Sequence, residues 1–162
     1  MKLTLARGWL PAIVVYSNEL PEGTGAMALA FVAVIRPKYR DDRGLHEHQL
    51  EHVVQWYAVL AAMLVLALMA ALQNQAGVAA GLCLASVGMH GLLYRRWRKF
   101  RLLSESQAFL RQMRFPDRHG GRLSAAAAAT RLCSARYGLA LSWDQAIARL
   151  SGDDKMGPAA SD

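Results

Sequence analysis

Two stretches of this chain hold no Asp, Glu, Lys or Arg, residues 53–72 and residues 78–94, and only Gln73-Asn-Gln-Ala-Gly77 parts them. A helix of about 17 to 20 residues spans roughly 25 to 30 Å, close to the ~30 Å hydrocarbon core of a bilayer. The pattern predicts a helical hairpin that crosses a membrane, with a second arm short enough to call for bilayer thinning or snorkelling flanks. A buried helix pair in a soluble bundle is the other fold that such runs permit. Gly77, Gly81, Gly88 and Gly91 favour the membrane, because small residues let two membrane helices approach closely.

The formal net charge of +7 is placed in a way that bears on topology. Arg36, Lys38, Arg40 and Arg43 precede the first apolar run, and Arg95, Arg96, Arg98, Lys99 and Arg101 follow the second. Both clusters fall at the same end of the hairpin, and the turn between its arms carries no positive charge. The positive-inside rule then puts both ends, and any site beside them, on the cytoplasmic face of a bacterial inner membrane. The arginines read as topology and headgroup anchors for a lipid bilayer, and binding of nucleic acid is not expected.

At 162 residues, 54% of them hydrophobic, the rest of the chain can build one modest domain. Cys83 and Cys133 are no disulfide framework and fit a reducing compartment. Lys2 and Arg7 ahead of the stretch 9–16 faintly resemble a signal peptide. That stretch is short, contains Pro11 and lacks a small-residue cleavage site, so it is expected to belong to the fold.

The Val, Ile and Ala content of residues 12–17 and 27–35 predicts two strands joined by a turn at Pro21, Gly23 and Gly25. Pro37 stops the second. Asp41 or Asp42 is placed to cap a helix that starts near Gly44 and runs without a breaker into the first apolar arm. After the second arm a helix is expected to continue unbroken from Tyr94 to Met113. An alanine-rich helix from Leu123 to Tyr137, closed by Gly138, follows it. Ser142-Trp-Asp-Gln145 has the form of a capping box and opens a last short helix to about Leu150. The expected organisation is therefore strands and a metal-binding helix over 1–52, the membrane hairpin over 53–94, cytoplasmic helices over 95–150 and a disordered tail over 151–162.

The segment Leu45-His-Glu-His-Gln-Leu-Glu-His-Val-Val-Gln-Trp56 carries the chemistry. Residues four apart share a helix face, so His48 and His52 can present two imidazoles to one metal, while His46 lies about half a turn round. A catalytic zinc takes three protein ligands and keeps one position open. If the hairpin turns near residues 75 and 76, His48 lies opposite Leu103 and Glu47 opposite Ser104, which brings Glu105 within about a turn of the histidines. Glu105 is the only acidic residue between Glu51 and Asp117. It is a candidate third ligand, or else a surface ion-pair partner for the neighbouring arginines.

Arg36-Pro-Lys-Tyr39, Gly44-Leu45, His48-x-x-x-His52-Val53-x-Gln55-Trp56 and Glu105-x-x-Ala108 together resemble the small membrane-anchored zinc metallopeptidases of bacterial and phage genomes, in the wider gluzincin-like group. The similarity covers about Ile35 to Gln112. It implies an α+β fold, with a minimal zincin-like sheet and zinc helix fused to the membrane hairpin and followed by C-terminal helices. It also implies zinc on His48, His52 and Glu105, and a peptide or protein substrate.

The family pattern has glutamate directly after the first histidine, where this chain has Gln49. A metallopeptidase needs a base there to take the proton of the attacking water and pass it to the leaving amine. Glutamine keeps the shape and cannot accept that proton, so Gln49 occupies the catalytic position of a chain expected to be inactive. Two alternatives stay open. His48-x-x-Glu51-His52 also fits the inverted motif, with Glu51 as the base, and the whole chain can be a non-enzymatic membrane regulator or adaptor that keeps a structural zinc or binds none. His46 and Glu47 read as a polar helix face or as partners that orient the ligands. The stretch 27–35 is either an ordinary core strand or an edge on which an extended peptide can lie.

Overall fold

In the computed structural model, which describes residues 1–151, the chain is α+β, with a four-stranded mixed sheet and five α-helices. The strands are β1 (Lys2–Ala6), β2 (Leu10–Tyr16), β3 (Ala26–Leu29) and β4 (Val32–Ile35), in the order β1-β2-β4-β3. The N-terminal stretch thus belongs to the fold. β1 and β2 form a hairpin, β3 and β4 form another, and β2 joins β4 in parallel, with Ile13 opposite Val32 and Tyr16 opposite Ile35.

The single strand expected over 27–35 is two strands, and β2 does not pair with the strand that follows it. Ala30 takes a positive φ of 53° and turns the chain back on itself between β3 and β4. Leu29-Ala-Phe-Val32 contains no Gly, Asn, Asp or Pro, so nothing in it announces a turn. The inner face of the sheet is lined by Ala6, Ala12, Val14, Ala33 and Ile35, and it packs on Leu50 and Val53. Alanine at three of these positions lets a helix lie close.

That helix is α1 (Arg43–Leu72), which runs through the histidines into the first apolar arm. Asp42 caps it, its carboxylate accepting from the Leu45 amide at 2.7 Å. Gly44 is required by packing, since a Cβ there would come within 3.3 Å of the Gln112 side chain and of the Gln112 and Phe115 carbonyl oxygens. After a turn at 73–75, α2 (Ala76–Arg96) returns alongside α1. Both helices are long and apolar enough to cross a membrane, and the basic clusters lie together at the open end of this hairpin.

Two expectations about the hairpin are corrected. The seam between the arms is built from Met63, Ala67 and Ala70 of α1 and Ser86 of α2, and Trp56 donates its indole N–H to the Val87 carbonyl. Gly77, Gly81, Gly88 and Gly91 do not mediate the approach, because a Cβ at any of them would meet nothing within 4 Å. The helix expected from Tyr94 to Met113 is also broken, at Trp97, whose extended backbone separates α2 from α3 (Arg98–Gln112). The Arg101 guanidinium stabilises the break by donating to the carbonyls of Tyr94 at 2.8 Å, Arg95 at 2.6 Å and Tyr137 at 2.9 Å, groups that a helix end leaves without partners.

Beyond α3, the stretch expected as one helix from Leu123 to Tyr137 is α4 (Ala125–Leu132) followed by a short 3-10 turn at Ala135–Tyr137, with Gly138 left-handed after it. Ser142 and Gln145 make the reciprocal bonds of a capping box at the start of α5 (Trp143–Ser151). The helix reaches Ser151, the last described residue, and the rest of the tail expected over 151–162 lies outside the described residues. Phe109 of α3 joins Ala128, Leu132, Leu139, Ala146 and Leu150 in a second core, which packs α3 against the C-terminal helices.

Candidate metal centre

His48, Gln49 and His52 are all buried on α1, where the four-residue spacing turns both imidazoles toward α3. The break at Trp97 sets α3 against them, and the buried Glu105 carboxylate lies between the two rings. His48 Nε2 is 3.5 Å from Glu105 Oε2, and His52 Nε2 is 3.5 Å from Oε1. Within the cluster, the three ligand atoms all lie within 4.8 Å of one another, so the group can hold a metal ion.

The two 3.5 Å separations are longer than a direct charge-assisted hydrogen bond and close to the edge of a tetrahedral ligand set. Charge-assisted hydrogen bonds draw N and O to about 2.7–2.9 Å. Ligands at ~2.0–2.2 Å from a tetrahedral ion lie ~3.4 Å apart. Glu105 Oε2 is buried without a hydrogen-bond partner, while Oε1 accepts from the Tyr94 hydroxyl. Burial pushes the Glu105 carboxyl up, but the fields of His52 and His48 and the bond from Tyr94 outweigh it and hold the group at about 2. As a carboxylate, Glu105 is a competent metal ligand beside the two imidazoles.

Neighbours fix the ligands unequally. His52 Nδ1 lies 3.1 Å from Ser104 Oγ and 3.0 Å from Gln55 Oε1, and the Gln55 amide donates to the Ser104 carbonyl, tying α1 to α3. The His48 ring packs edge-on against Phe109, with centroids 4.7 Å apart, and its Nδ1 has no partner. Gln49 also leaves its buried amide oxygen without a partner.

The register between the arms differs from expectation. Glu47 pairs with Arg111 at 2.9 Å, seven positions beyond Ser104, because the break at Trp97 lets α3 start anew instead of continuing the line of α2. His46 packs on the Tyr16 ring, and burial lowers its pKa. Neither His46 nor Glu47 orients a ligand. Glu51, the rival base, faces the sheet, where its buried carboxylate receives Arg7 at 2.6 Å, and it lines neither of the two clefts beside the cluster.

Those clefts, of about 540 and 300 Å³, meet at His48 and Gln49. The smaller one runs along Met27, Ala28 and Leu29 of β3 and is closed on its far side by His90 and Tyr94. β3 is an edge strand that pairs only with β4 among the described strands. Nothing in the sequence marks Tyr94, Ser104 or Arg7 as partners of these buried groups. Tyr94 is the last residue of an apolar run, Ser104 is a common surface residue, and the partner of Arg7 lies 44 positions away. No protein-family model matches the chain, and no match to it was found among curated proteins or solved structures.

Proposed function

We propose that the chain is a membrane-anchored zinc metallopeptidase scaffold, with a zincin-like helix and sheet, that is catalytically silent because Gln49 stands where the base belongs. The observation that carries this reading is the buried trio His48, His52 and Glu105, spaced as ligands around a cation, with Gln49 beside it where both clefts meet. The donor set of two imidazoles and one carboxylate suits zinc and leaves one coordination position open. When bound, zinc supplies Lewis-acid polarisation of a carbonyl and acidifies an attacking water. The residues of the chain do the rest. Ser104 and Gln55 hold His52, Tyr94 holds Glu105, and the edge of β3 offers backbone groups to an extended peptide laid past the cluster.

The anchor is the α1–α2 hairpin in a bacterial cytoplasmic membrane. Both termini and the metal centre lie on the cytoplasmic side, as the basic clusters at its open end favour. A second reading, a regulator or adaptor that keeps zinc as a structural element, is favoured by Gln49 itself. Metal analysis of the purified chain, joined to a peptidase assay of Gln49→Glu, tests both. Zinc with restored cleavage supports the peptidase scaffold, zinc without cleavage supports the regulator with structural zinc, and a chain that binds no zinc refutes the metal centre and leaves only a regulator without metal.

A further inference from the structure

The exposed apolar surface of α1 is shorter than the helix. Val53, Val54 and Tyr57 of α1 pack on the sheet, Gln55 on α3 and Trp56 on α2, so the exposed apolar sleeve of α1 runs from Ala58 to Leu72. That is about 15 residues, or ~22 Å, against a ~30 Å hydrocarbon core. The missing length lies on the side of the metal centre, level with the sheet.

β2 runs antiparallel to the first turns of α1. Tyr16 packs on His46 at one end, and Tyr57 donates its hydroxyl to the Pro11 carbonyl at the other. Because β4 is parallel to β2, the β1–β2 turn and the β3–β4 turn both point along α1 toward its apolar arm. These two tips are apolar and exposed. Trp9 is 69% exposed, Leu29 55% and Phe31 41%, and the Phe31 ring lies 5.9 Å from that of Trp56. Gly8-Trp-Leu-Pro11 and Leu29-Ala-Phe-Val32 contain no charged residue, and Arg7 beside the first tip is paired with Glu51. Nothing in a water-facing sheet calls for Trp and Phe at the ends of two turns, whereas aromatic rings at the headgroup level are a general feature of membrane proteins.

We infer that the two tips, Trp9 and Leu29–Phe31, are seated in the headgroup and acyl boundary of the bilayer, continuing the apolar surface of α1, an assignment that rests on the membrane reading above. The sheet is then docked on lipid from outside while the hairpin spans it. Leu29 belongs both to the second tip and to the cleft beside His48, His52 and Glu105. The mouth of that cleft therefore opens at the membrane surface, and the peptides it admits are segments already lying there.

The full chain reconstituted into phosphatidylcholine and phosphatidylglycerol vesicles, with and without bromine near the headgroup end of the acyl chains, tests this. Trp9 emission is taken as the difference between the wild type and Trp9→Phe. A second reporter, Phe31→Trp in the Trp9→Phe background, reads the other tip. Both are expected to lose about half or more of their emission in brominated vesicles and to resist aqueous iodide. If the protein floats with the vesicles while both reporters are quenched by iodide and not by bromine, the docking is wrong and the anchor stands. If the protein does not float with the vesicles, the membrane reading fails and the docking fails with it.

Discussion

Position 49 is one residue from a ligand, and its side chain differs from glutamate by a single exchange of oxygen for nitrogen. Gln49→Glu is expected to leave folding and zinc content nearly unchanged and to raise peptidase activity by ~10²- to 10⁴-fold, the usual contribution of a general base. A continuous assay with a quenched fluorescent peptide reads the change. In the restored enzyme, Glu51→Gln is expected to alter kcat little, because that carboxylate is turned toward Arg7 and not toward the clefts. Equal activity of the wild type and the Gln49→Glu variant, together with silencing by Glu51→Gln, would move the base to Glu51. Arg7 has a structural part. Arg7→Ala leaves the buried Glu51 carboxylate unpaired and is expected to cost about 2 kcal/mol, less than a fully buried pair because the arginine is half exposed. Thermal unfolding in detergent micelles measures it.

Among the elements, the helix that carries the histidines was the most legible. Asp42, the four-residue spacing and the unbroken run into apolar sequence all point to the same helix, and each is a local signal. The breaks that shape the site were not legible, because their causes are distant in sequence. The extended backbone at Trp97 depends on Arg101 reaching three carbonyls, one of them at Tyr137, and the turn at Ala30 is held by pairing across the sheet. Glu105 is reachable from the sequence because the hairpin register brings it within about a turn of the histidines and it is the sole carboxylate in its stretch, although Glu47 pairs seven positions beyond the register's Ser104. Arg101→Ala should therefore act on the metal centre from a distance. Losing its charged hydrogen bonds is expected to cost roughly 2 kcal/mol and to weaken zinc binding by loosening the start of α3. A competition titration with a chromophoric chelator checks the second effect, and unchanged affinity would show that α3 is held by its second core alone.

For the whole molecule, the long α1 and the helix that follows the returning arm, α3, bring two distant stretches to a single buried cluster of His48, His52 and Glu105. The topology predicts that a reporter fused after residue 162 and requiring export stays inactive, since both basic clusters flank the open end of the hairpin. Cleavage of the C-terminal segment by protease added outside spheroplasts would reverse the orientation. The metal centre supports everything else, and its direct test is zinc stoichiometry in the purified full chain after exhaustive dialysis. About one zinc per chain is expected in the wild type and in Gln49→Glu, with next to none in His48→Ala and a strongly weakened site in Glu105→Gln. Zinc retained at full affinity by His48→Ala, or absent from a folded wild-type chain, would contradict the assignment.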